Sequence, residues 1–338
     1  MVKRCLLILA LAAAHSVAAL QVGAPAATAA QSNPQAAAKR FQTWRSAAAT
    51  ALAVRTDANS LATAAALRYG ASAGNSKAAA ADLKQSALEL AARASDLAPQ
   101  DASIGWLHLQ LCSGTPACDI RDVATVLRWV DADNSAAWLQ NLAVAQKDKD
   151  TTEVDRILND MAQGAHFDLY WNRIVVLMVD ALRAARADLP GRYAASDSAR
   201  LAAVNGIANG EIVPPFTALV DACRESSAIP ERRELCLKLS KIMQRSDTIA
   251  AQIAGFGIER RLHAPDSKEA RAIAERRHLL EWRVATAAKF DTALLPWTQN
   301  AHARERLAQM RANPREEDVC IAILREHKMA LDPPEVHP

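Results

Sequence analysis

The feature that most constrains the fold is a spacing. Asp101 leads into Trp106-Leu107 and Asp133 leads into Trp138-Leu139, so the two Trp-Leu pairs lie 32 residues apart. In both, the acidic residue stands five positions before the Trp. One further period lands on Tyr170-Trp171, preceded by Phe167-Asp168. Each Trp opens an apolar stretch at helical spacing: Trp106, Leu107, Leu109, Leu111; then Trp138, Leu139, Leu142, Ala143; then Trp171, Ile174, Val175, Leu177, Met178. Between them run second stripes, Val123, Val126, Leu127, Val130 and then Val154, Ile157, Leu158, Met161. Asp119 and Thr151 are candidate N-caps for these second helices, and Gly164 suits the end of the later one. A period of this length with two helices per unit predicts a helical-hairpin repeat, each unit covering its neighbour's apolar face.

Composition agrees. Ala supplies 75 of the 338 residues, against 11 Gly and an aromatic content of 4%. Ala has the highest helix propensity, while an all-β chain needs more β-branched and aromatic residues. The fold class expected is all-α: a solenoid-like helical-hairpin repeat region followed by a second helical region. The repeat resembles the tetratricopeptide type over roughly residues 75–187. The likeness rests on Trp106 and Trp138 early in the first helix of each unit and on Pro99 at a unit end. That family's unit is about 34 residues. The resemblance implies a concave peptide- or protein-binding surface rather than a chemistry.

The N-terminus has the layout of a secretory signal. Lys3 and Arg4 precede an apolar run from Cys5 to Leu20, and small residues follow to about Ala30. The run is short and diluted with Ala, which favours cleavage over a membrane anchor. No other stretch is long and apolar enough to span, so the mature chain is expected to be exported, periplasmic or secreted. Removing residues 1–30 takes away two basic residues and no acids, leaving 38 basic against 37 acidic. That balance lacks the positive excess a nucleic-acid binder needs.

In an oxidising compartment the remaining cysteines read first as disulfides. Cys112 and Cys118 flank the turn Ser-Gly-Thr-Pro-Ala, so a bridge would close the loop between one helix and the next. Cys223 and Cys236 lie on two helical segments separated by Ala228-Ile229-Pro230 and would face each other across a hairpin. Cys320 is left over, as a small buried hydrophobe or for an intermolecular bond. Neither pair has zinc-site spacing.

The expected organisation is a signal over 1–30, an Ala-rich hairpin repeat region over 31–187, a linker over 188–215, a C-terminal helical region over 216–331 and a tail over 332–338. The linker assignment rests on Pro190-Gly191, on the turn dipeptides Asn205-Gly206 and Asn209-Gly210, and on Pro214-Pro215. Upstream, Asp57 and Asn59 are candidate N-caps and Gly70 a candidate helix end. Downstream, Pro230 sits at a helix start and Asp247 suits the N-cap of the helix that follows.

No H-E-x-x-H, P-loop or S-x-x-K motif occurs. Glu275 and His278 share a helix face with Glu281, which reads as a solvated, salt-bridged face rather than half of a di-metal site. No His has a Ser, Cys or acidic neighbour at a spacing that defines a site; His108 reads as a surface residue. The Trp set reads as core, filling the volume that Ala helices leave. No catalytic residue, cofactor or metal site is expected. The function expected is a peptide- or protein-binding module of a bacterial-type envelope. An immunity- or inhibitor-type partner of an envelope enzyme, or an envelope hydrolase with a His–carboxylate or Ser–His contact, are the alternatives.

Overall fold

The computed structural model describes residues 34–72, 76–189, 196–211, 213–225, 229–291 and 300–334. Residues 1–30, read above as a signal, and Pro190-Gly191 lie outside the described residues. Residues 1–42 form one unit and residues 43–338 another. Helix α1, Pro34–Ala53, runs through the boundary.

The described residues are helical, with no strand among them. α2 (Ala58–Ala71) and α3 (Lys77–Leu97) form an antiparallel pair, and α3 leads onto α4 (Ala102–Ser113). Two hairpins follow. α4 packs on α5 (Ile120–Val130); after a 3-10 turn at Ser135–Trp138, α6 (Leu139–Lys147) packs on α7 (Thr151–Gln163). Next comes α8 (Trp171–Ala184), which touches α2 and α4, so the chain returns onto its own first helices.

Local chemistry explains the helix starts. Asp57 accepts from the Ser60 N–H (2.8 Å), Asp101 from the Ser103 N–H (2.9 Å) and Asp119 from the Arg121 N–H (2.9 Å). Each satisfies a donor that the first turn leaves without a partner. Asn59 is inside α2 rather than capping it, and Gly70 is buried within the same helix. Asp150 caps α7 and Thr151 is its first residue. The 3-10 turn is capped by Asn134, not by the acidic Asp133 beside it.

The stretch 188–215 is not a plain linker. Asp197–Glu211 is helix α9, packed on α8 and α2. The Asn-Gly dipeptides that read as turns lie inside it. Asn205 Nδ2 donates to the Leu201 carbonyl (3.0 Å) and Asn209 Nδ2 to the Asn205 carbonyl (3.0 Å), one helical turn back. The amide side chains bond along the helix instead of competing with it, and burial of Leu201, Val204, Ile207 and Ala208 overrides the weak propensity of Gly.

The remainder is α10 (Thr217–Glu225), α11 (Pro230–Met243), α12 (Ile249–Arg261), α13 (Lys268–Ala288), α14 (Asn300–Ala312) and α15 (Glu316–Glu326). Pro230 opens α11, as its fixed φ permits. α11 packs on both α7 and α12, while α14 packs on α8 and α9, so the later helices are built onto the earlier hairpins. Phe256, Ile273 and Leu280 form a small buried cluster between α12 and α13.

Gly164 has a demonstrable steric role. A Cβ at Gly164 would lie 2.2 Å from Ser135 Oγ and 2.8 Å from the Asp133 carbonyl oxygen, so only Gly lets the loops 131–135 and 164–170 meet. Gly164→Ala is expected to cost about 1–3 kcal/mol, read as a lower denaturant midpoint with unchanged slope. An unchanged midpoint would mean that these loops do not meet.

Candidate functional site

Loops 131–135 and 164–170 join directly. The Ser135 N–H donates to the His166 carbonyl (2.9 Å) and the Ala165 N–H to the Asp133 carbonyl (2.9 Å). Asn134, buried, stitches them with its side chain. Its Oδ1 accepts from the Asp168 N–H (3.0 Å), and its Nδ2 donates to the Asp168 carbonyl (2.9 Å) and to the Tyr170 oxygen (2.9 Å). Tyr170 Oη donates to Asp131 Oδ2, and the His166 ring lies 3.1 Å from the same oxygen. Burial first, then the Asp131 bond, pushes the Tyr170 phenol up and keeps it protonated.

Behind this junction stand buried carboxylates. Tyr170, at the N-cap of α8, has a left-handed backbone (φ 57°) and offers no cap of its own. Asp247 supplies it from across the fold: the Leu169 N–H donates to Oδ1 (2.8 Å) and the Trp171 N–H to Oδ2 (3.1 Å). Asp247 therefore does not cap the helix that follows it. Thr248 holds that position, accepting from the Ala251 N–H (3.3 Å). Glu316, at the start of α15, repeats the device: the Ile249 N–H donates to Glu316 Oε2 (2.8 Å), while the Glu316 N–H donates to the Asp247 carbonyl (2.8 Å). Burial pushes Asp247 up to about 7, aided by the charge of Asp168 and opposed by the two backbone N–H donors. Glu316 is likewise pushed up to about 7 by burial. Asp168 is also raised by burial, with His166 opposing.

The structure brings two histidines to partners that spacing did not reveal. His166 meets Asp131, as above. His108 is half-buried rather than on the surface, with Nδ1 3.2 Å from Ser95 Oγ. Burial lowers its pKa and Asp96 acts against that. The Ser–His and His–carboxylate contacts thus fall on different rings. Among the described residues no carboxylate hydrogen-bonds the His108 ring. A relay of the Ser-His-Asp kind needs both contacts on one imidazole. Glu275, His278 and Glu281 are exposed, Glu281 pairing with Arg277 at 2.7 Å. Among the described residues no group of three His, Cys, Asp or Glu side chains is arranged to hold a metal.

Cys112 and Cys118 stand with their sulfurs 2.02 Å apart, joining the end of α4 to the residue before the Asp119 cap. Cys223 and Cys236, 2.09 Å apart, join α10 to α11. Cys320 is free, and burial pushes its thiol up to about 12.

An open cleft lies beside α5. The inner face of this helix buries Ala124 and Leu127. Its outer face carries Val126, 56% exposed, and Trp129, 85% exposed. Trp129 therefore departs from the core role of Trp44, Trp106 and Trp171, which are buried. Beside it the cleft, of about 410 Å³, is lined by Thr125, Arg128, Trp129, Ala132 and Trp138. The Arg128 guanidinium sits 4.0 Å from the centre of the Trp138 ring, and Arg156 lies 5.4 Å from it. Arg156 is held by Glu153 (2.6 Å) and Asp160 (2.6 Å). Arg128 donates instead to neutral oxygens, Thr125 Oγ1 (2.8 Å) and Asn141 Oδ1 (3.4 Å). Val126 belongs with Leu127 to one apolar stripe in the sequence, yet it lies in solvent. The i, i+3 pair Val126–Trp129, opposite Ala124 and Leu127, is the signal that could have marked a second apolar face.

Comparison with family models, with curated proteins and with solved structures finds no significant match for this chain. No helix among the described residues is long and apolar enough to cross a membrane.

Proposed function

We propose that this chain is an exported helical protein that binds a peptide or a partner protein at the α5 cleft, in the envelope or outside the cell. The observation that carries the reading is Trp129, an indole left 85% exposed beside a cleft with Arg128 and a second Trp. Large exposed apolar groups bordered by polar ones mark interaction surfaces, and Trp and Arg dominate binding hot spots. The two Trp-opened hairpins support a tetratricopeptide-like reading of this region. The cysteine pairs are compatible with an oxidising location. Capping of an envelope-active enzyme is the same reading with a folded partner.

Affinity capture from an envelope extract, run in parallel with the native protein and Trp129→Ala, tests it. The native chain is expected to enrich a reproducible partner and the variant to lose at least nine-tenths of it, at an unchanged melting temperature. The reading fails with no reproducible partner, or with equal capture by both proteins.

A further inference from the structure

The charge state of the α5 cleft says what it takes. Arg128 is half-buried, stacked on Trp138, and within ion-pair distance of no carboxylate among the described residues. Its neighbour Arg156 shows the contrast, being clamped between two carboxylates. Stacking occupies one face of the Arg128 guanidinium, and its bonds to Thr125 and Asn141 are to neutral acceptors. Burial, then the positive charge of Arg156, makes this cation costly to keep as it stands. An incoming anion would relieve that cost, because a charge-assisted bond to guanidinium is roughly twice as strong as a neutral one.

The surroundings also fix the anion's size and charge. Glu153 and Asp160 stand close by, each about a third exposed, and would repel a dianion. Arg156 is shared between those two carboxylates, which leaves Arg128 as the cation of the cleft wall without a carboxylate at ion-pair distance, and a singly charged carboxylate suits that place beside Glu153 and Asp160 better than a doubly charged phosphate. Trp129 and Val126, one helical turn apart on the same face, are placed to take an apolar side chain adjoining that carboxylate. The mature chain is nearly neutral, so recognition has to come from this local contact rather than from long-range steering.

We infer that the α5 cleft binds an acidic segment of another protein, an Asp or Glu side chain seated on Arg128 and the apolar residue beside it on Trp129 and Val126. This rests on the reading of the cleft as a protein-binding site and adds the chemistry of the occupant.

The test uses the purified protein and a library of peptides about twelve residues long, acetylated and amidated at their ends so that any carboxylate is a side chain. Each places Asp or Glu beside Trp, Phe or Leu, and is matched by its Asn or Gln counterpart. Binding is followed by calorimetry. Acidic–apolar peptides are expected to bind, and to weaken tenfold or more on conversion of the acid to its amide. Arg128→Gln is expected to remove that acid-to-amide difference, while Arg128→Lys retains part of it. Trp129→Ala is expected to weaken acid and amide peptides alike. Thermal melts establish that each variant is folded.

The inference is overturned if no peptide binds, if amides bind as well as acids, or if phosphopeptides or free C-terminal carboxylates are preferred. It is also overturned if sedimentation shows the chain self-associating through Trp129. Partner capture that depends on Trp129 but not on the acid would sink the inference and leave the binding-module reading standing. Capture insensitive to Trp129 sinks both.

Discussion

Asp247→Ala is expected to destabilise the folded chain by about 2–4 kcal/mol, because it leaves two buried backbone N–H groups, those of Leu169 and Trp171, without an acceptor. Asp247→Asn retains one acceptor oxygen and is expected to cost less. The same residue gives the chain an inverted response to acid. Asp247 and Glu316 titrate near 7 in the fold, against ordinary values of 3.8 and 4.5. Their folded pKa values are raised, so the folded chain holds protons that the unfolded chain has lost. The resulting stability is complete below the ordinary values and is lost as pH rises through about 7. Moving from about pH 8.5 to about pH 5.5 is expected to add about 2 kcal/mol per group. Asp247→Asn is expected to remove about half of that gain. Carboxylates held low by ion pairs, Asp197 and Glu153, act in the opposite sense and only at more acidic pH. Denaturant unfolding at the two pH values decides the matter: stability that rises from about pH 5.5 to about pH 8.5 would contradict the buried-acid account.

Trp106→Ala is expected to cost about 3–5 kcal/mol, since its side chain is fully buried and its ring lies 6.4 Å from that of Tyr170 at the loop junction. Trp106→Phe is expected to cost clearly less. The indole N–H of Trp106 has no hydrogen-bond partner among the described residues, so its removal breaks none. Trp129→Ala is expected to shift stability by no more than about 0.5 kcal/mol, as the side chain is mostly in solvent. Unfolding curves of the three variants test the division between a packing Trp and an exposed one. Equal losses for Trp106→Ala and Trp129→Ala would refute it.

What could be read from the chain without its fold was whatever acts within a helical turn. Asp57 and Asp119 cap helices two or three residues ahead of them. The cysteine pairing is legible for a related reason, since each pair spans a single turn or hairpin. The same locality misleads at Asp247. Its carboxylate serves a backbone more than seventy residues away, because Thr248 already fills the local cap. At Asn205 and Asn209 a dipeptide preference for turns is overruled by burial of the residues around it. Ser95 and His108 meet through the packing of α3 on α4, which no spacing on one helix encodes. Trp129 was misjudged because a mean tendency of Trp to be buried says nothing about which face of α5 is covered. Nothing in the sequence marks Arg128, since a sequence does not show which arginines have carboxylate partners.

The borrowed caps also set an order in time. The N-terminus of α8 is completed by a carboxylate 76 residues later, and the helix following that carboxylate is completed by one 67 residues later still. A chain made or delivered from its N-terminus exposes α8 with bare N–H groups until Asp247 arrives, and α12 remains short of an acceptor until Glu316 does. The earlier hairpins cannot reach their final ordering on their own schedule. Cutting the chain ahead of α15 would loosen α12 at once, and through the Glu316–Asp247 backbone bond the fault would pass to α8. The last helices work as a keystone: they complete the starts of helices laid down long before them.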